Sequence, residues 1–85
     1  DEPAAVDRYY RSALRLAPDD PDISNNYAVF LCRTGRTDEG VKRFESVARN
    51  RMYRAPEAAW TNAGVCLRGA KRPEEAAERF ARALA

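Results

Sequence analysis

Apolar residues recur every three or four positions in five runs along the chain, and short breaks holding Gly, Pro or acidic residues separate them. That is the pattern of amphipathic helices joined by tight turns. The first run carries Pro3, Val6, Tyr10, Ala13 and Leu14 and ends before Pro18, where a helix cannot continue. Ile23, Tyr27, Phe30 and Leu31 form the second, after Pro21 and Asp22, and Gly35 stops it. Thr37 then reads as an N-cap, with Asp38 and Glu39 in a first turn where carboxylates meet the positive end of the helix dipole. Val41, Phe44, Val47 and Ala48 make the third stripe, and Ala59, Trp60, Ala63 and Leu67 the fourth. After a break from Gly69 to Arg72, Pro73 opens the fifth, whose stripe is Ala76, Ala77, Phe80, Ala83 and Leu84. The spacing predicts helices near residues 3–17, 22–34, 38–50, 56–69 and 73–84.

The runs are not independent. Sliding the chain on itself by 36 residues pairs Asn26 with Asn62, Val29 with Val65, Leu31 with Leu67, Arg36 with Arg72, Glu39 with Glu75, Arg43 with Arg79 and Phe44 with Phe80. This composition would give about two or three such identities by chance. Ala28 with Gly64, Gly40 with Ala76 and Val47 with Ala83 add pairs of similar size. A shift of 34 lays the first run under the third, putting Tyr10 under Phe44, Ala13 under Val47 and Leu14 under Ala48. The chain is therefore half a unit followed by two whole ones. Residues 1–20 supply the second helix of a partial repeat, 21–56 a full repeat with an extended loop, and 57–85 another full repeat, together one domain of 85 residues.

Composition narrows the class further. Sixteen Ala and 13 Arg, against two Lys and few β-branched residues, favour helix over strand. A chain this short buries only roughly 60–65 % of its unfolded surface, which leaves little core for a deep catalytic cleft. The net charge of +2 arises from 15 basic and 13 acidic residues interspersed with one another, unlike the one-sided basic face of a nucleic-acid binder. No apolar run nears the roughly 20 residues that span a bilayer, so no direct membrane insertion is expected.

In this arrangement the units resemble the tetratricopeptide repeat, a helix-turn-helix of about 34 residues with bulky and small residues at fixed offsets. The last unit carries Trp60, Ala63, Gly64, Leu67, Ala76, Phe80 and Ala83 at those offsets, with Ala63 and Leu67 replacing the usual Leu and Tyr. The middle unit supplies Tyr27, Ala28, Leu31, Phe44 and Val47, departing at Ser24 and Gly40, and the opening half unit supplies Tyr10, Ala13 and Pro18. The resemblance implies an all-α fold, a right-handed superhelix of about five antiparallel helices, and a role in binding proteins. The runs Asn25-Asn26-Tyr27-Ala28-Val29-Phe30-Leu31 and Trp60 to Leu67, with the long loop from Asn50 to Pro56, resemble the central repeats of the type IV pilus pilotin family. That finer resemblance implies a lipoprotein of the outer membrane, facing the periplasm and tethered by an upstream lipidated segment, whose partner is an outer-membrane secretin subunit. Its alternatives are a cytoplasmic adaptor that binds an extended peptide and a repeat segment that regulates a fused enzyme.

Chemistry is sparse. There is no His to activate a Ser or Cys nucleophile, so no catalytic residue is assigned and an enzyme is not expected. The carboxylate pairs Asp19–Asp20, Asp38–Glu39 and Glu74–Glu75 sit at turns and helix starts, where capping explains them. No phosphate-binding glycine loop is present, and no cofactor or metal is expected. Cys32 and Cys66 read as small buried hydrophobes. A bridge between them would need an oxidising compartment, and their two-residue offset within the repeat rotates one relative to the other by about 200°, which speaks against a facing geometry.

The remaining candidate is the concave face, lined in stacked repeats by the first helix of each unit. With Tyr27, Leu31, Ala63 and Leu67 turned inward, helical geometry turns Asn25, Asn26, Val29 and Arg33, and likewise Thr61, Asn62, Val65 and Arg68, toward the groove. Asn26 and Asn62 could bond an extended peptide backbone while Val29 and Val65 give apolar contact; equally, the Asn side chains could bond their own backbone. Ala58 and Asn62 stand where chaperone-tail-binding repeats carry basic residues, which disfavours that ligand. A secondary surface is the loop Arg51, Met52, Tyr53 and Arg54, a composition enriched at interfaces. Alternatively, Met52 and Tyr53 fold back over the core. Apolar ends of the repeat stack predict self-association.

Overall fold

A computed structural model describes residues 1–85 as five helices without a strand: α1 (Glu2–Leu16), α2 (Pro21–Arg33), α3 (Thr37–Arg49), α4 (Pro56–Gly69) and α5 (Pro73–Leu84). Every boundary falls within one residue of the position that the apolar spacing predicts. The starts of α1 and α2 are set by side chains: Asp1 accepts from the Ala4 amide, and Asp20 from the amides of Asp22 and Ile23. Helix α3 corrects the expectation for Thr37, which is the first helical residue rather than the cap. Arg36 holds the cap position without a side-chain cap bond. It secures the first turn instead through a two-pronged pair with Glu39, at 2.9 and 3.0 Å.

The turn inside each repeat has the same construction. After α2, the Gly35 amide donates to the Cys32 carbonyl and the Arg36 amide to Leu31, with Gly35 at φ +81°. This is the Schellman closure, which needs a left-handed residue. After α4 the same bonds run from Lys71 to Arg68 and from Arg72 to Leu67, and Lys71 takes the left-handed place at φ +62° without being glycine.

Helices adjacent in sequence pack on one another, α2 on α3, α3 on α4 and α4 on α5, whereas α1 touches α2 more sparsely. The product is a slab of 34 × 29 × 12 Å. Ala28, Val41, Phe44, Ala63, Leu67 and Ala76 form the larger core cluster, and Leu14, Tyr27 and Leu31 the smaller, with Tyr10, Ile23 and Phe30 against it. Tyr27, Leu31, Ala63 and Leu67 all turn inward, as the repeat spacing predicts. Gly40 and Gly64 allow the close approach within each helix pair. A β-carbon on Gly40 would lie 2.5 Å from the Cys32 sulfur, and one on Gly64 2.5 Å from the Phe80 ring. The predicted stripe of α5 is only half used: Ala76 is buried, but Ala77 is exposed and Leu84 is 90 % exposed, because nothing in the chain packs on the outer face of α5.

Candidate functional site

The first helices of the two full repeats, α2 and α4, both pack on α3 and meet each other at Cys32 and Cys66. On α2, positions 22, 26, 29 and 33 share one strip: Asp22, Asn26 and Arg33 are exposed and Val29 is half-buried. The corresponding strip on α4 is Ala58, Asn62, Val65 and Gly69, with Val65 exposed and Asn62 half-buried. Neither Asn26 nor Asn62 bonds its own backbone, unlike Asn50, which donates to the Asp19 carbonyl at 3.0 Å and accepts from the Met52 amide at 2.8 Å. Their amides are free to meet a ligand.

Three predicted groove residues lie elsewhere. Asn25 is on the flank of α2 that turns toward α4, seven residues before Cys32, and its side-chain oxygen is buried without a hydrogen-bond partner. Thr61 and Arg68 lie on the opposite flank of α4, because a strip inferred from the inward residues alone comes out wider than the real one. Thr61 donates to the Glu57 carbonyl at 2.8 Å, and the Arg68 guanidinium sits over the Phe80 ring at 5.7 Å. The open strip is therefore Asn26, Val29 and Arg33 from α2 with Asn62 and Val65 from α4.

Between the strips runs a covalent bond. Cys32 and Cys66 form a disulfide with Cα atoms 5.7 Å apart, overturning their reading as two unlinked buried thiols. The two-residue offset works in the opposite sense to the sequence expectation. Successive repeats are related by a small rotation and a translation, so equivalent residues point the same way, and residues that face each other across a junction must sit about 180° apart on the helix wheel. An offset near 200° is what a bridge between α2 and α4 requires. The bridge spans the groove floor and fixes the spacing of the two strips.

The loop Arg51–Arg54 is separate from this groove. Asn50 ties it to the α1–α2 turn, Met52 lies beside Pro18 to Asp22, and Arg51, Met52 and Arg54 are exposed with Tyr53 half-buried. Met52, 67 % exposed, does not fold over the core as the alternative reading had it.

Sequence reading missed a polar hub behind the groove. The Asp7 carboxylate accepts from the Tyr27 hydroxyl at 2.6 Å, from Arg11 at 2.7 Å and from Arg36 at 2.7 Å, joining α1, α2 and the turn before α3. These bonds, led by Tyr27 and then Arg11, hold the Asp7 carboxyl well below the usual carboxylate range. Burial first, and then the bond to Asp7, push the Tyr27 hydroxyl up, so it stays a donor. One repeat on, Arg72 copies Arg36, pairing with Glu75 and reaching back to Asp38 at 2.7 Å. The recurrence of Arg36 at Arg72 was the one available signal for this network.

No group of His, Cys, Asp and Glu side chains is arranged to hold a metal ion. No helix is long and apolar enough to cross a membrane. No match was found among curated proteins or among solved structures. Residues 31–85 match a family model described as tetratricopeptide repeat, and residues 9–42 match a second of the same description. With both models laid over helix pairs that close by the same turn and pack by the same small-residue contacts, the chain belongs to the tetratricopeptide-repeat family.

Proposed function

We propose that this protein-interaction scaffold acts in the periplasm as a pilotin-like factor, assisting assembly of a type IV pilus secretin at the outer membrane. The observation that carries the compartment is the Cys32–Cys66 bridge, since disulfides persist in oxidising compartments such as the periplasm and are rare in the reducing cytosol. The pilotin-like runs Asn25 to Leu31 and Trp60 to Leu67 fall on the two helices that the bridge joins.

The action is binding without bond making. An extended partner segment lies along the groove, its backbone meeting the unspent amides of Asn26 and Asn62 and its side chains meeting Val29 and Val65. Arg33 adds a charge at one end. Because the bridge fixes the spacing of α2 and α4 in advance, less ordering is left to be done on binding. A scaffold of this kind is not an enzyme.

Co-purification from a bacterial envelope extract tests the reading, with bound protein identified by mass spectrometry. Wild type should retain the secretin. An Asn26→Ala, Asn62→Ala variant with unchanged helical circular dichroism should lose it. Failure of wild type to retain a secretin, while it retains a partner from the cytosolic fraction, would replace the pilotin reading by the cytoplasmic adaptor.

A further inference from the structure

We propose a second binding site on the face opposite the groove, a basic depression between α1 and α3 that takes a glutamate side chain from an acidic segment of a protein partner. The depression is an open, shallow hollow of about 460 Å³ lined by Arg11, Leu14, Arg15, Pro18 and Arg43. It does not depend on the groove or on the pilotin reading.

Comparison with the next junction shows what is unusual here. At the α3–α5 junction Glu45 forms an ion pair with Arg79, both side chains about four-fifths shielded from solvent. Repeat offsets of 34 and 36 carry that pair back onto Arg11 and Arg43. Where the second junction places a carboxylate against a guanidinium, the first places two guanidiniums on one depression. The missing partner is an anion with the reach of a glutamate, and the apolar lining of Leu14 and Pro18 suits its methylenes.

The arginines are held from behind, which lowers the cost of ordering them around a ligand. Arg11 bonds Asp7 through its Nε, leaving both terminal nitrogens unspent. Arg15 donates from Nη2 to the Ser12 hydroxyl at 3.0 Å, and Arg43 lies 5.2 Å over the Tyr27 ring. Neither Arg15 nor Arg43 has a carboxylate partner, whereas Arg36, Arg72, Arg79 and Arg82 all do. None of the carboxylates nearby bonds Arg15 or Arg43, and Glu39, which borders a hollow with Arg43, is paired with Arg36. Asp7 is shared among Tyr27, Arg11 and Arg36; Asp20 caps α2; Asp19 and Asp20 line a neighbouring hollow beyond Pro18, which Arg43 also borders.

The test is titration calorimetry of the 85-residue chain with a blocked hexaglutamate peptide, with hexaglutamine and inorganic phosphate as comparison ligands. Hexaglutamate should bind one equivalent and weaken as salt rises, and hexaglutamine should not bind. Arg11→Glu, which copies the Glu45–Arg79 pair into the first junction, should fill the site from within and weaken hexaglutamate by at least about tenfold. Arg15→Gln, which disturbs only the contact to Ser12, should weaken it by roughly three- to tenfold with the fold intact. Undiminished affinity in both variants, or no binding by wild type, would overturn the site. Phosphate binding as tightly as hexaglutamate would overturn the assignment to an acidic protein segment.

Discussion

The junction before the first full repeat and the junction between the two full repeats do the same job by opposite means. At the first, Tyr27 is buried against Tyr10, the rings stacked at 5.3 Å, and its hydroxyl is anchored on Asp7. At the second, Ala63 occupies the place of Tyr27, Phe44 stands for Tyr10, and the helices approach closely enough for a disulfide. A large aromatic at the repeat position keeps neighbours apart and has to be fixed through its polar tip, whereas a small residue lets backbones meet and a covalent bond close the gap. The packing of α1 on α2 is sparser than that of α3 on α4, in the direction that exchange predicts.

The contrast can be broken most severely at Tyr27. Tyr27→Ala removes the stacked ring and leaves Asp7 short of a donor, and should cost about 3–5 kcal/mol in urea unfolding. For a chain of this size that is most of the stability, so the variant should be largely unfolded at 37 °C. Ala63 has no such ring to lose.

Removing the bridge should cost nearly as much. Replacing Cys32 and Cys66 by Ala frees a chain segment of 34 residues, and should lower stability by about 3–4 kcal/mol. Adding reductant to wild type should reproduce the loss, and reductant should leave the double variant unchanged. Gly64→Ala, whose new methyl would press into the Phe80 ring, should cost about 1–3 kcal/mol, read from the shift in urea midpoint.

Acid sharpens the comparison from the other side. A carboxyl held below its ordinary pKa contributes stability above the unfolded value, and that contribution is lost as pH falls toward the folded one. For Asp7 the loss should begin below about pH 4 and continue past about pH 2. Asp7→Asn should remove this limb of the acid-unfolding curve and leave the bridged junction's contribution in place. The smallest effect concerns Lys71, the left-handed residue that matches Gly35. Lys71→Gly should raise the thermal midpoint, by a gain of about 0.5–1 kcal/mol after the added freedom of the unfolded chain is deducted.

Much of this architecture was legible in the sequence, because it depends on local spacing. The five helices, the inward set of Tyr27, Leu31, Ala63 and Leu67, and the small residues at Ala28, Gly40, Gly64 and Ala76 all follow from periodicity and the 36-residue echo. What stayed hidden depends on how helices distant in sequence are turned toward each other. Asp7 meets Tyr27 and Arg36 across 20 and 29 residues, and nothing local marks it as a hub. The disulfide was misread because facing residues in translated helices are not equivalent residues. Five of the eight groove residues, Asn26, Val29, Arg33, Asn62 and Val65, share the open strip, whereas Asn25, Thr61 and Arg68 fall on its flanks. An error of about 60° in the wheel separates a floor from a flank, and only packing against the neighbouring helix resolves it.

The claim that most needs a direct check is that α2 and α4 are covalently closed across the groove. Intact-mass and proteolytic mapping of protein folded under air, unfolded in denaturant with a maleimide and no reductant, decides it. The expected result is a chain lighter by two hydrogens that takes up no maleimide and yields a peptide pair joining Cys32 to Cys66. Two maleimide adducts on the folded-and-oxidised material would mean that the helices do not meet as described, and the groove would lose its fixed floor.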